Sequence, residues 1–90
     1  MAKHYDIRIT GHVQGVFFRE NTRELAVKQS IRGFVRNEPD GSVYIEAEGE
    51  SADLKTLTDY LHQGPPGARV DNVEIAEGDP KEYQGFEIRH

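Results

Sequence analysis

Hydrophobic residues in this chain switch between a spacing of two and a spacing near 3.6, and the order of the switches is what most limits the fold. Tyr5, Ile7 and Ile9 alternate with Asp6, Arg8 and Thr10, which predicts a strand over residues 4–10 with one buried face. From Phe18 to Ser30 the chain is rich in helix formers, and Thr22, Leu25, Ala26 and Gln29 fall on one stripe of a moderately amphipathic helix. Ile31 to Asn37 reads as a second strand. Pro39-Asp40-Gly41 is a turn signal, and Val43, Ile45 and Ala47 then alternate with Tyr44, Glu46 and Glu48 in a third strand, completing a hairpin. Gly49 ends that strand. Ser51 is placed to cap a second helix, Asp53 favours its first turn, and Leu54, Leu57, Thr58 and Leu61 form its apolar stripe. Gly64-Pro65-Pro66-Gly67 stops this helix. Val70 to Glu77, carrying Val73 and Ile75, reads as a fourth strand; Gly78-Asp79-Pro80 breaks it, and Phe86 and Ile88 mark a short last strand.

The order βαββαβ, with a small extra strand, predicts an α+β fold. Right-handed crossovers pack both helices on one face of an antiparallel sheet, the ferredoxin-like sandwich. Ninety residues with 36% hydrophobic content fit one domain over 1–90, without internal repeat or low-complexity linker. In this topology the first and second strands run parallel with the third between them. Two strand spacings of ~4.8 Å bring their C-terminal ends to ~10 Å, so the Gly11–Arg19 loop and Asn37 are expected to face one small volume.

Those two segments carry the chemistry. Gly11-His12-Val13-Gln14-Gly15-Val16-Phe17-Phe18-Arg19 sets two glycines and an arginine where a strand gives way to a helix. Glycine lets the backbone curl so that several N–H groups point inward, and a helix start adds a positive dipole end. The arginine offers a planar fork that matches a phosphate. Gly33-Phe34-Val35-Arg36-Asn37 ends on a side-chain amide beside a turn. Blander readings stand beside these: simple turn glycines, a solvated Arg19, an Asn37 that closes an Asx-type turn. Arg19 is nevertheless unfavourable at a helix start, since its charge opposes the dipole, and that mismatch hints at a nearby anion. Gln14 is expected to brace the loop, and Phe17 and Phe18 to serve in core and loop packing. His4, His12, His62 and His90 have no ligand-type spacing and read as surface residues. Glu46, Glu48 and Glu50 read as a solvated strand face and its exit.

Composition removes several classes. The absence of cysteine excludes a disulfide framework, a thiolate metal site and a cysteine nucleophile, and fits the cytoplasm. No apolar stretch approaches a membrane span, and the first residues lack a signal-peptide core. A net charge of −5 argues against a general nucleic-acid or membrane-surface partner. An RNA-recognition module shares the element order, and Arg32-Gly33-Phe34-Val35 echoes part of its aromatic signature. Here, however, those residues fall on the second strand instead of the third, without the following aromatic. A metal carrier would lack its thiol pair. A sensing module that binds phosphate without hydrolysing it stays open, and turnover separates it from an enzyme.

Gly11-x-Val13-Gln14-Gly15-Val16-x-Phe18-Arg19 resembles the first signature of the acylphosphatases. Gly33-Phe34-Val35-Arg36-Asn37, then Gly41, Val43 and Gly49 at their spacings, resembles the second. Length, strand order and the ending Phe86-Glu87-Ile88-Arg89 are similar as well, so the likeness covers essentially the whole chain. The resemblance implies a metal-independent hydrolase that splits acyl phosphates into a carboxylate and inorganic phosphate, with no cofactor. It implies that Arg19 binds the phosphate and Asn37 orients the attacking water, while backbone amides of Gly15, Val16, Phe17, Phe18 and Arg19 complete the cradle. The expected enzyme is free-standing, monomeric and cytoplasmic, with a small acyl phosphate as its partner and neither nucleic acid nor membrane.

Overall fold

A computed structural model describes residues 2–90. The chain runs through β1 (Lys3–His12), α1 (Phe18–Lys28), β2 (Arg32–Asn37), β3 (Val43–Gly49), α2 (Ser51–Gln63), β4 (Arg69–Gly78) and β5 (Phe86–Arg89). The strands form one sheet in the order β4-β1-β3-β2-β5. The first three neighbouring pairs are antiparallel, as the ferredoxin-like reading expects. The short last strand joins β2 in parallel, with Val35 opposite Ile88, so the five-stranded sheet is mixed.

Alternation along the strands sends one set of side chains toward the helices. Ile7, Ile9, Val35, Ile45 and Ala47 are fully buried there against Leu54, Leu57 and Leu61 of α2 and Phe18 and Ala26 of α1. The stripe read for α2 is the stripe that packs, Thr58 included. In α1, Phe18, Thr22 and Ala26 are buried and Leu25 packs beside them. No helix among the described residues is long and apolar enough to cross a membrane.

Boundaries differ from the sequence reading by one residue at the start of β2 and at each end of β4, and three further differences have a physical cause. The first strand runs on to His12 because β4 accompanies it, opposing Gly11 with Val70 across a bulge that begins after Thr10. Only glycine fits at Gly11: φ is 132°, and a Cβ there would lie 2.0 Å from the Arg69 carbonyl oxygen. The first helix stops at Lys28, before Ser30, which takes a left-handed φ of 57° while the Ile31 N–H reaches back to the Ala26 carbonyl at 2.8 Å. Ser51 is the first residue of α2; its N-cap is Glu50, and no side chain caps the helix.

The largest departure lies on the sheet face away from the helices. Glu46, Glu48 and His4, expected in solvent, are buried, with His4 and Glu48 each 1% exposed. The segment 79–85 between β4 and β5 crosses this face and fastens to it. Glu48 accepts the backbone N–H of Lys81 and that of Tyr83 at 3.1 Å. Glu46 accepts the Tyr83 hydroxyl at 2.6 Å and the Lys81 ammonium at 3.1 Å. Tyr83 also sets the edge of its ring against Phe34, with centroids 5.9 Å apart. A period of two shows which residues share a face, but not whether a later segment covers it. Glu50, His12, His62 and His90 are exposed, in line with the sequence reading.

Candidate active site

After β1 the chain curls before entering α1. Val13 anchors the loop with a side chain 1% exposed, while Gly15 and Phe17 both take left-handed φ values, 75° and 61°. Alternation of this kind turns successive N–H groups into a concavity suited to an anion. Phe17 is the N-cap of α1 and provides no side-chain cap. Its carbonyl accepts the Asn21 backbone N–H at 3.1 Å and the Asn21 side-chain amide at 2.9 Å. The first N–H groups of α1 have no partner within the helix and lie at its positive end.

This curl forms one wall of a cleft of about 150 Å³, lined by Val13, Gly15, Phe17, Phe18, Arg19 and Asn37, with Glu20 as its one carboxylate. The structure thus brings Arg19 and Asn37 to one place from elements far apart in sequence. Val16 is not in the lining, and its side chain packs against the core. The expectation that both phenylalanines serve packing holds for Phe18, which is 2% exposed, but not for Phe17, which is 72% exposed. Left-handed backbone at Phe17 turns its side chain outward just before the helix directs Phe18 inward.

Arg19 also reaches the end of β5. Its Nη1 donates to the Arg89 carbonyl at 3.4 Å and lies 3.2 Å from His90 Nδ1. Among the described residues no carboxylate pairs with Arg19, so its charge is available to a bound anion. This support lies seventy residues from Arg19, and no local pattern announced it.

Asn37 ends β2 opposite Val43. The turn that follows is closed by Asp40, whose carboxylate accepts the Ser42 backbone N–H at 2.9 Å and the Ser42 hydroxyl at 2.6 Å. Asp40, not Asn37, therefore supplies the Asx-type bond, and the Asn37 amide makes no hydrogen bond to another described residue. Gln14 is the brace expected of it: its Nε2 donates to the carbonyls of Glu38 at 2.8 Å and Ser42 at 2.9 Å. Two bonds from one amide staple the loop after β1 to the turn that begins beside Asn37.

Beyond the turn, where its bonds to Ser42 hold the Asp40 carboxyl below the usual range, a cluster of perturbed titrating groups lies on the face covered by residues 79–85. His4 Nδ1 lies 2.7 Å from Glu48 and Nε2 2.8 Å from Asp6, an arrangement of two carboxylate acceptors that favours the imidazolium, in which both ring nitrogens donate. Burial alone would push its pKa down, but the bonds to Glu48 and Asp6 outweigh it and hold the pKa above 6.5. Burial would raise Glu46 too, yet hydrogen bonds from Tyr83, Tyr44 and Lys81 bring it down to about 2. His4, Asp6 and Glu46 present atoms within 4.8 Å of one another, a spacing a metal ion could use. The Lys81 ammonium and the imidazolium already meet that negative charge.

Comparison with known proteins follows the same lines. The family profile described as Acylphosphatase matches residues 5–88. An acylphosphatase of Salinibacter ruber is 46% identical over 88 residues, covering 97% of this chain and 93% of the relative. The solved acylphosphatase of Coxiella burnetii superposes with a TM-score of 0.94 at 38% identity, over 98% of this chain and 93% of its own. That of Bacillus subtilis superposes with a TM-score of 0.95 at 32% identity, over the whole of both chains.

Proposed function

Since the chain belongs to the acylphosphatase family and hydrolyses the carboxyl–phosphate bond of acyl phosphates, we propose that Arg19 and the loop amides from Gly15 to Arg19 hold the phosphoryl group while Asn37 orients the attacking water. The observation that carries this reading is the shared cleft. It sets a guanidinium with no carboxylate partner among the described residues, a curl of backbone donors and an unengaged amide around one volume.

The chemistry asks little more of the protein. The leaving carboxylate is a weak base and departs without a general acid, so positioning and charge stabilisation remain as the tasks. The fork of Arg19 and the backbone N–H groups receive the equatorial phosphoryl oxygens. Asn37 accepts a hydrogen bond from the water through its carbonyl and donates one through its amide N–H, fixing the water for in-line attack. Water oxygen bonds to phosphorus as the bond to the acyl oxygen breaks, and the carboxylate leaves with the electron pair. An amide is too weak a base to take the water proton, which passes to a non-bridging oxygen of the substrate. With positive charge supplied by Arg19 and the cradle, the reaction requires no metal ion or cofactor.

The same reading holds the enzyme to be monomeric and cytoplasmic, with no nucleic-acid partner. A net charge of −5 gives no basic footprint, and the lack of cysteine suits a reducing compartment. The exposed large apolar side chains are three: Phe17 at the start of α1, Val27 near its end and Ile75 on β4.

The test is benzoyl phosphate hydrolysis in excess chelator, comparing the wild-type chain with Asn37→Ala. Wild-type turnover is expected to persist, and the variant to lose about 10²–10³ in kcat while inorganic phosphate still inhibits. Full turnover in Asn37→Ala removes that residue from the mechanism, and loss of wild-type turnover in chelator removes the metal-free route.

A further inference from the structure

Phe17 is the one large apolar side chain of the cleft that the fold does not bury. It is 72% exposed, whereas Phe18, its neighbour, is 2% exposed and belongs to the core. Its φ of 61° lies in a region that a bulky side chain seldom adopts. Among the described residues its ring has no aromatic or cationic partner: the ring contacts involve His4, Phe34, Tyr44 and Tyr83, all on the other face of the sheet. The cradle needs the backbone of this residue in the left-handed region, but nothing in the protein needs a phenyl ring there.

Size points to what does. A cleft of about 150 Å³ holds on the order of five water volumes, enough for a phosphoryl group and its attacking water. The acyl part of a substrate must then extend out of the cleft and past the residues that line its mouth. Phe17 offers the exposed apolar surface among them, and Glu20 sets a carboxylate beside it. An apolar acyl group gains contact with the ring. A short one does not reach enough of it.

We propose that the Phe17 side chain is the acyl-group selector of this enzyme, favouring phosphates of aromatic and extended apolar carboxylic acids over short ones. The proposal rests on the placement of the phosphoryl group given above.

Its test measures kcat/KM for benzoyl phosphate and for acetyl phosphate in wild type, Phe17→Ala and Phe17→Tyr, with phosphate inhibition recorded throughout. All three residues share the same backbone demand, so comparing Ala with Tyr isolates the ring. The benzoyl-to-acetyl ratio is expected to fall about tenfold in Phe17→Ala, mainly through KM for benzoyl phosphate, and to be kept in Phe17→Tyr. A ratio that stays constant while both substrates weaken together overturns the proposal, because the ring then acts through the cradle. An unchanged ratio with no loss on either substrate overturns it as well. Failure of the underlying placement looks different: Asn37→Ala and Phe17→Ala would then both leave turnover and phosphate inhibition as they are in wild type.

Discussion

Arg19→Ala is expected to lower kcat/KM for benzoyl phosphate by at least about 10³ and to remove inhibition by inorganic phosphate, while the protein stays folded. The size of the loss follows from geometry. Removing one well-placed donor costs about 10²–10³ in rate, and a guanidinium removes two donors and a charge together. Lysine at this position restores the charge but not the fork, so Arg19→Lys is expected to stay roughly 10²-fold down. Stability should move the other way, if at all. Arg19 sits in the first turn of α1, where a positive charge opposes the helix dipole, and its contacts to the end of β5 are long, 3.4 and 3.2 Å. Steady-state kinetics beside urea unfolding separates the two effects. A variant that keeps phosphate inhibition would move the anion away from this cleft.

How far these residues were legible depended on whether the signal was periodic or tertiary. Ile7, Ile9, Val43 and Ile45 alternate, and Leu54, Leu57 and Leu61 recur at helical spacing, so local pattern and final packing agree. Element order then gave the topology, and the topology alone placed Asn37 beside the Arg19 loop. Tertiary facts had no such signal. The extension of β1 past Thr10 depends on β4, some sixty residues later, and the early end of α1 depends on a left-handed serine. Phe17 and Phe18 are identical in a sequence, and only the sign of φ at Phe17 decides which one is buried. The glutamates of β3 alternate as a solvated face would, but the irregular segment 79–85 covers them, with no period of its own to reveal where it lies. The strand extension and the covered glutamates answer to partners more than thirty positions away, while the helix end and the two phenylalanines turn on the sign of a single φ.

That covered face carries the second large effect. Glu48→Ala is expected to destabilise the fold by about 3–5 kcal/mol, the usual cost of breaking a buried pair from one side. Glu48 accepts from His4 and from two backbone N–H groups of residues 79–85, so its removal leaves a buried imidazolium and two orphaned donors. In a domain of this size the loss corresponds to a fall in Tm of roughly 15–30 °C. Glu48→Gln should lose less, because its carbonyl can still receive one of the two N–H groups, which bond different oxygens of the carboxylate. The pH dependence has two limbs. Glu46, with its pKa lowered from 4.5 to about 2, and Glu48, also lowered, contribute stability that is present above about 4.5 and lost as pH falls toward 2. His4, with its pKa raised above 6.5, contributes stability that is complete below about 6.5 and lost as pH rises through its folded value. Urea unfolding across pH 3–9 should therefore show a plateau between about 4.5 and 6.5 with a decline on each side. In Glu48→Gln the alkaline decline should shrink, since the amide no longer favours the charged ring. A wild-type stability that stays flat from pH 6.5 to 9 would mean that His4 is neutral in the folded protein, and the two-carboxylate clamp on its ring would have to be redrawn.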